Sequence, residues 1–244
     1  MDAAPQQSRP AGSPSGSGLV LGIDTCGPSG SVALARLAGG RIGLLGETVL
    51  AGRTYSATLV AAAGELLAAA GAQLAELLSI VVVNGPGSFT GVRVGLSAAK
   101  GFAEGASLPL MAVSRLEVLA FKAAAPAAAL EAHRGEIFLR TGFAGEQSRE
   151  LLAGARELAS IRPPAAVAVC EDSAAGILAQ AWPALPLVHA AAPTAADALL
   201  LCGPRLAAGQ SADPALLDGH YLRRSDAEIF AERNAETGAP PRPA

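Results

Sequence analysis

A chain of 244 residues, 51% hydrophobic and 16% charged, is long enough for two modest domains, and its formal net charge of −3 gives no bulk attraction for a polyanion. Its three cysteines, Cys26, Cys170 and Cys202, are odd in number, widely spaced and fit no metal or redox motif, which points to a reducing, cytoplasmic compartment. The longest uncharged stretch, 173–196, carries Pro183, Pro186 and Pro193, so no membrane span is expected.

Residues 1–18 are rich in Pro, Ser, Gly and Gln and are expected to be a disordered extension rather than a signal peptide. A first strand, 19–23, ends at Asp24. The turn chemistry of Cys26-Gly27-Pro28-Ser29-Gly30 leads into a second strand, 31–37, and a third lies within 42–50. The spacing predicts a helix over 55–70, then a buried strand at the apolar run 80–83. A glycine-rich loop and a helix over 91–104 follow, with Thr90 as the expected N-cap, and Leu110–Val113 reads as a short strand. Three antiparallel strands followed by helix–strand–helix–strand is a ribonuclease-H-like α/β pattern. A second lobe echoes it, with paired strands at 127–130 and 136–141, a strand at 165–170, and helices near 174–181 and 195–208. The expected domains are lobes at 19–114 and 115–233, with a disordered tail at 234–244.

The loop at 84–101, NGPGSFTGVRVGLSAAKG, admits two uses. A glycine-rich turn between a strand and a helix N-terminus presents backbone N–H groups that hold an anion, or it is only a tight turn packed on its own domain. Asp24 at a strand end has the same ambiguity: it holds a metal–phosphate or caps a turn. Asp24, Gly85, Gly87 and Ser88 are therefore the cofactor-binding candidates, weak and readable as inherited turn geometry. No second Asp-Gly-rich phosphate hairpin is evident in the C-terminal half, so no cofactor is assigned.

Other chemistry is missing. His133, His189 and His220 are isolated, with no H-x-x-x-H or H-E-x-x-H, so no metal site is assigned. Ser88 lies in G-P-G-S-F-T-G, not in G-x-S-x-G, and no His is sequence-linked to it, so no catalytic residue is assigned. The two helices at 55–70 and 91–104 are unusually apolar; Glu65 is the one charge in the first. Leu59, Ala62, Ala63 and Leu66 form a stripe at helical spacing, and Gly91, Gly95, Ala98 and Phe102 form a second, thinner one. These stripes are expected to be the partner interface, half of an intermolecular four-helix bundle, with Gly95→Arg as the substitution that breaks it while the chain stays folded.

The pair IDTCGPSGSVAL and GPGSFTGVRVGLSAAKG resembles the TsaB (YeaZ) family, whose members are paralogues of the catalytic subunit TsaD. Residues 129–138, ALEAHRGEIF, and Tyr221-Leu222-Arg223-Arg224 followed by Ala227 extend the likeness. Tyr55, Glu131 and His133 depart from the residues usual there. The resemblance implies a two-lobed actin-like ATPase fold. It also implies a non-catalytic role in N6-threonylcarbamoylation of adenosine 37 in tRNAs reading ANN codons. The implied partners are a TsaD-like catalytic subunit and a TsaE-like ATPase, with tRNA reached only through the complex and a homodimer competing for the same surface. The metal-binding H-x-x-x-H of the catalytic paralogue falls on Arg115 and Leu119, which cannot ligate a divalent ion. The alternative function is a small-molecule phosphotransferase or ATPase of the same fold.

Overall fold

The computed structural model describes residues 17–52, 54–142 and 148–223. The expected tail at 234–244 and nearly all of the extension at 1–18 lie outside them, as do Arg224 and Ala227. Strands β1 (Gly18–Asp24), β2 (Ser29–Ala38) and β3 (Arg41–Ala51) form an antiparallel meander. Helix α1 (Tyr55–Ala69), strand β4 (Leu77–Val83), helix α2 (Phe89–Ala106) and strand β5 (Leu110–Val113) follow, and β4 and β5 add in parallel to give the order β3-β2-β1-β4-β5. The central strand β4, LLSIVVV, is covered on both faces and reads as a continuous apolar run. Ile80, Val81, Val82 and Val83 are fully buried, each worth about 1.5–3 kcal/mol of apolar burial.

A second sheet repeats the topology. Helix α3 (Arg115–Lys122) leads to β6 (Ala128–Glu131), β7 (Ile137–Thr141) and β8 (Arg149–Ala153), again an antiparallel meander. Helix α4 (Ala155–Ser160), strand β9 (Val167–Val169), helix α5 (Asp172–Ala181), strand β10 (Leu187–His189) and helix α6 (Ala195–Ala207) complete the described chain. The order β8-β7-β6-β9-β10 is strand for strand that of the first sheet, with β9 and β10 parallel to β6. The molecule is thus a two-lobed α/β protein with two ribonuclease-H-like sheets, as in actin-like ATPases. The sequence pattern omits α3, α4, β8 and β10.

Helix α6 corrects the domain boundary. Chain order places it in the second lobe, but it packs on the first sheet. Its Ala195, Ala198, Leu199 and Cys202 belong to the core of β1, β2 and β4. Two side chains from that sheet hold its N-terminal amides: Ala195 N donates to Ser31 Oγ at 2.8 Å and Ala196 N to Glu47 Oε1 at 3.0 Å. Gly22 of β1 permits the approach, since a Cβ there would lie 2.8 Å from Ala195 O. Helices α1 and α2 cover the opposite face. Ion pairs Lys122–Asp197 (2.7 Å) and Arg205–Glu117 (3.6 Å) then tie α6 to α3.

Candidate functional site: the strand-end loops and the helix pair

The glycine-rich loop is pinned from three sides. Ser88 N donates to Cys26 O at 2.8 Å, Arg115 N to Gly85 O at 2.7 Å, and His220 N to Asn84 O at 2.7 Å. Asn84 Nδ2 also donates to Asp218 O at 3.2 Å. Gly85 has a φ of 112°, open only to glycine, and its Cα faces His220 O. Ser88, not Thr90, caps α2: its Oγ accepts from Gly91 N at 3.2 Å, and the helix begins two residues earlier than Thr90 would set it. A Cβ at Gly87 would fall on the Cys26 carbonyl. The amides of Ser88 and Gly91 are therefore spent on the loop's own packing rather than presented to an anion.

Asp24, at the end of β1, is 1% exposed and accepts from Cys26 N at 2.8 Å. Burial pushes its carboxyl up from the ordinary value, against the pull of Arg115 and the Cys26 amide. The Cys26 thiol, which donates to Val83 O at 3.2 Å, is pushed well up by burial and by Asp24. It is a packed hydrophobe rather than a nucleophile. Tyr55 closes the turn by donating its hydroxyl to Gly27 O at 2.8 Å. Leu119 is fully buried in the second-lobe core, and Arg115 is 4% exposed between the lobes. Thus Asp24, Gly85, Gly87 and Ser88 do gather around one strand-end turn, as a hydrogen-bonded structural knot.

The stripes assigned to a partner face the chain's own sheet. Leu59, Ala62 and Ala63 are buried in the core formed with β2 and β3, and Leu66 packs over Gly46 of β3. Gly91 and Gly95 lie against Thr25, and Ala98 and Phe102 are half-buried against the same core. A Cβ at Gly95 would fall on Thr25 Oγ1, so Gly95→Arg disrupts the fold instead of reporting on a seam. What the helix pair shows to solvent is its other side. Ala57, Val60, Ala61, Gly64 and Ala68 of α1 are exposed, with Val60 at 59%. Ser97, Gly101 and Gly105 of α2 are exposed too, and a Cβ at Gly64, Gly101 or Gly105 would meet nothing within 4 Å.

Two further clusters escape sequence spacing because their members come from distant segments. Arg93 lies over the Phe89 ring, 3.4 Å from its centroid, and Tyr221 stands 5.3 Å from Phe89; both rings are partly exposed at the start of α2. The second is a hub on Glu150, whose side chain is 7% exposed. Ser114 Oγ donates to it at 2.7 Å and Arg140 Nη1 at 2.6 Å, and His220 Nε2 lies 2.8 Å away. It joins the interlobe crossing, the second sheet and the returning C-terminal segment. Arg223 of that segment also pairs with Glu136.

Burial would raise the Glu150 carboxyl above the ordinary 4.5, but hydrogen bonds from His220, Ser114 and Arg140 outweigh it and hold it lower. A folded-state value below the unfolded one adds stability that is complete above the unfolded value and is lost as pH falls through the folded one. Glu150→Gln is expected to cost about 1.5–3 kcal/mol at neutral pH. That penalty should shrink as pH falls below the ordinary carboxylate value and through the lower folded-state one, read from urea midpoints at neutral and at acid pH. A penalty independent of pH would remove the carboxylate charge from the account.

Residues 49–153 match the protein family described as TsaD: tRNA N6-adenosine threonylcarbamoyltransferase. The tRNA threonylcarbamoyladenosine biosynthesis protein TsaB of Haemophilus influenzae is 38% identical over 117 residues, 48% of this chain and 45% of that one. The protein of the same name from Escherichia coli is 34% identical over 125 residues, 49% of this chain and 52% of that one. This chain spans about half the length of these curated relatives. A solved Pseudomonas aeruginosa structure, described as an uncharacterized protein with similarity to peptidase YeaZ, superposes with a TM-score of 0.69 at 27% identity; the match covers 84% of this chain and 100% of that one. A second structure, YeaZ from Pseudomonas aeruginosa, gives 0.66 at 26% identity, with the same coverage. Sequence matches to TsaB proteins and a superposition on YeaZ across the whole of that chain together make this chain similar to the TsaB (YeaZ) family.

Proposed function

We propose that the chain is a non-catalytic subunit in the synthesis of threonylcarbamoyladenosine at adenosine 37 of tRNAs reading ANN codons. In this reading it acts in the cytoplasm through a TsaD-like catalytic subunit served by a TsaE-like ATPase. The observation that carries the reading is its similarity to proteins named for tRNA threonylcarbamoyladenosine biosynthesis. The match of residues 49–153 to the TsaD family supports a partner of related build, since paralogous lobes pair in a pseudo-symmetric way. The strand-end loops support a scaffold role: their polar groups are engaged with one another, and Asp24 is sealed against the Cys26 amide.

The partner seam is then the outward side of α1 and α2, centred on Val60, Ala61 and Gly64 with Ser97, Gly101 and Gly105. Its small residues let two helix pairs approach closely, and the six central positions carry no charge, with the exposed Glu65 and Glu104 at their flanks. A homodimer through this seam competes with the heterodimer. Two measurements test the function. Depleting the chain from its own cell should lower threonylcarbamoyladenosine in bulk tRNA, read by nucleoside mass spectrometry. The purified chain should capture a TsaD-like subunit and turn over no ATP alone. Unchanged nucleoside levels after depletion would end the proposal.

A further inference from the structure

Arg115 opens α3 where the chain crosses between the lobes, and only 4% of it is exposed. A guanidinium carries five N–H donors and stays charged at any physiological pH. Among the described residues no acceptor meets those of Arg115, and its Nε is wholly shielded from solvent. Asp24 and Glu171 bear on its charge from the two lobes, together with the thiols of Cys26 and Cys170, yet neither carboxylate comes within ion-pair distance. Both are engaged elsewhere: Asp24 accepts from Cys26 N, and Glu171 accepts from Glu131 N at 2.8 Å. Gly27 lets the guanidinium pack against its turn, because a Cβ there would lie 2.5 Å from Nη2 and 3.2 Å from Cζ.

A buried guanidinium with Coulombic neighbours but no hydrogen-bond acceptor is half of an interaction. Burying it so costs several kcal/mol, and an uncharged residue would avoid that cost. Its planar fork matches the paired oxygens of a carboxylate or phosphate group. We propose that Arg115 anchors an oxyanion site in the cleft between the lobes, between the Gly27 turn and the Cys170–Glu171 end of β9. The site takes a phosphate or carboxylate group. Asp24 and Glu171 already offset part of the cationic charge, so geometry rather than net charge holds the ligand, and a singly charged group fits better than a doubly charged one. The site adjoins the glycine-rich loop through the Arg115 N–Gly85 O bond, but the Ser88 and Gly91 amides of that loop are internally bonded. It is separate from the outward face of α1 and α2.

The test follows the arginine Nε–H signals of the full chain, labelled with ¹⁵N-arginine, at constant ionic strength held with chloride. A shielded Nε–H absent from Arg115→Lys identifies Arg115. Titration with inorganic phosphate or acetate should shift it saturably, with half-saturation at or below about 10 mM. The two arms separate phosphate from carboxylate chemistry, and the stronger shift names the ligand class. In Arg115→Lys the affinity, read by phosphate or acetate line broadening, should fall about tenfold or more, because a point charge lacks the fork. An Nε–H that neither anion moves beyond the chloride control overturns the proposal, as does equal binding by the lysine variant. The wild-type titration decides alone if the variant does not fold. None of these outcomes depends on a partner subunit.

Discussion

Gly101→Arg should fold as well as the parent and lose its partner. Gly101 lies on the solvent side of α2, where a Cβ would meet nothing within 4 Å. In an exposed helix interior arginine is favoured over glycine by roughly 0.8 kcal/mol, so the isolated chain should hold or gain stability. If the outward face of α1 and α2 is the seam, the same side chain places a charge where two helices meet. An unpaired charge buried there costs several kcal/mol, and about 3 kcal/mol is already a hundredfold in affinity. The expected outcome is an unchanged circular-dichroism spectrum, monomeric elution, and failure to capture a TsaD-like subunit. Gly101→Ala is the control: it gains the helix propensity without the charge and should still bind. Unchanged capture by Gly101→Arg would move the seam away from this face.

That prediction rests on a distinction the sequence does not make. The stripe Leu59, Ala62, Ala63, Leu66 has the period of a helix that buries one side, and it does; the period does not say whether the surface it meets belongs to the same chain. In α1 both sides are largely apolar, because alanine and glycine fill most of the outward side and Glu65 is its one charge. The more regular and bulkier stripe went to the chain's own sheet. The outward side is legible only by subtraction, once β2 and β3 are seen under Leu59, Ala63 and Leu66.

The strands divide in a similar way. β1, β2 and β4 are apolar runs bounded by turn residues and are plain in the sequence, because parallel or central strands are buried on both faces. β8, RELLA, begins with two charged residues and reads as a surface loop. Its Glu150 is nonetheless buried, because Ser114, Arg140 and His220 converge on it from up to 70 residues away. The allegiance of α6 has the same origin. Its cap, Thr194 with Asp197, is local and readable, but the lobe it joins is set by Ser31, 164 residues earlier, and Glu47, 149 residues earlier. Local signals place elements; side chains distant in sequence decide which sheet each element covers.

Gly91→Ala should be as damaging as Gly101→Ala is harmless, although both add one methyl to the same helix. Gly91 sits in the first turn of α2, under the Ser88 cap and against the end of β1. Thr25 Oγ1 donates to Gly91 O at 2.7 Å, which draws the two backbones together. A Cβ at Gly91 would fall on the Thr25 carbonyl oxygen, and backbone cannot turn aside as a flexible side chain can. Relief requires α2 to lift from β1. That breaks the Thr25 bond, disturbs the Ser88 N–Cys26 O bond, and opens the packing of Val92 and Leu96 beneath. Overpacking alone costs about 1–3 kcal/mol, and a buried hydrogen bond adds about 1 kcal/mol. A loss of about 3 kcal/mol or more is therefore expected, a large share of the stability of a domain of this size. Urea unfolding of the two alanine variants side by side measures it: the Gly91→Ala midpoint should drop sharply, and that of Gly101→Ala should stay level or rise. Equal midpoints would mean that α2 does not lie on Thr25 as described. In that event the burial of Gly95 against the same threonine, and with it the assignment of the inward and outward faces of the helix, would be wrong.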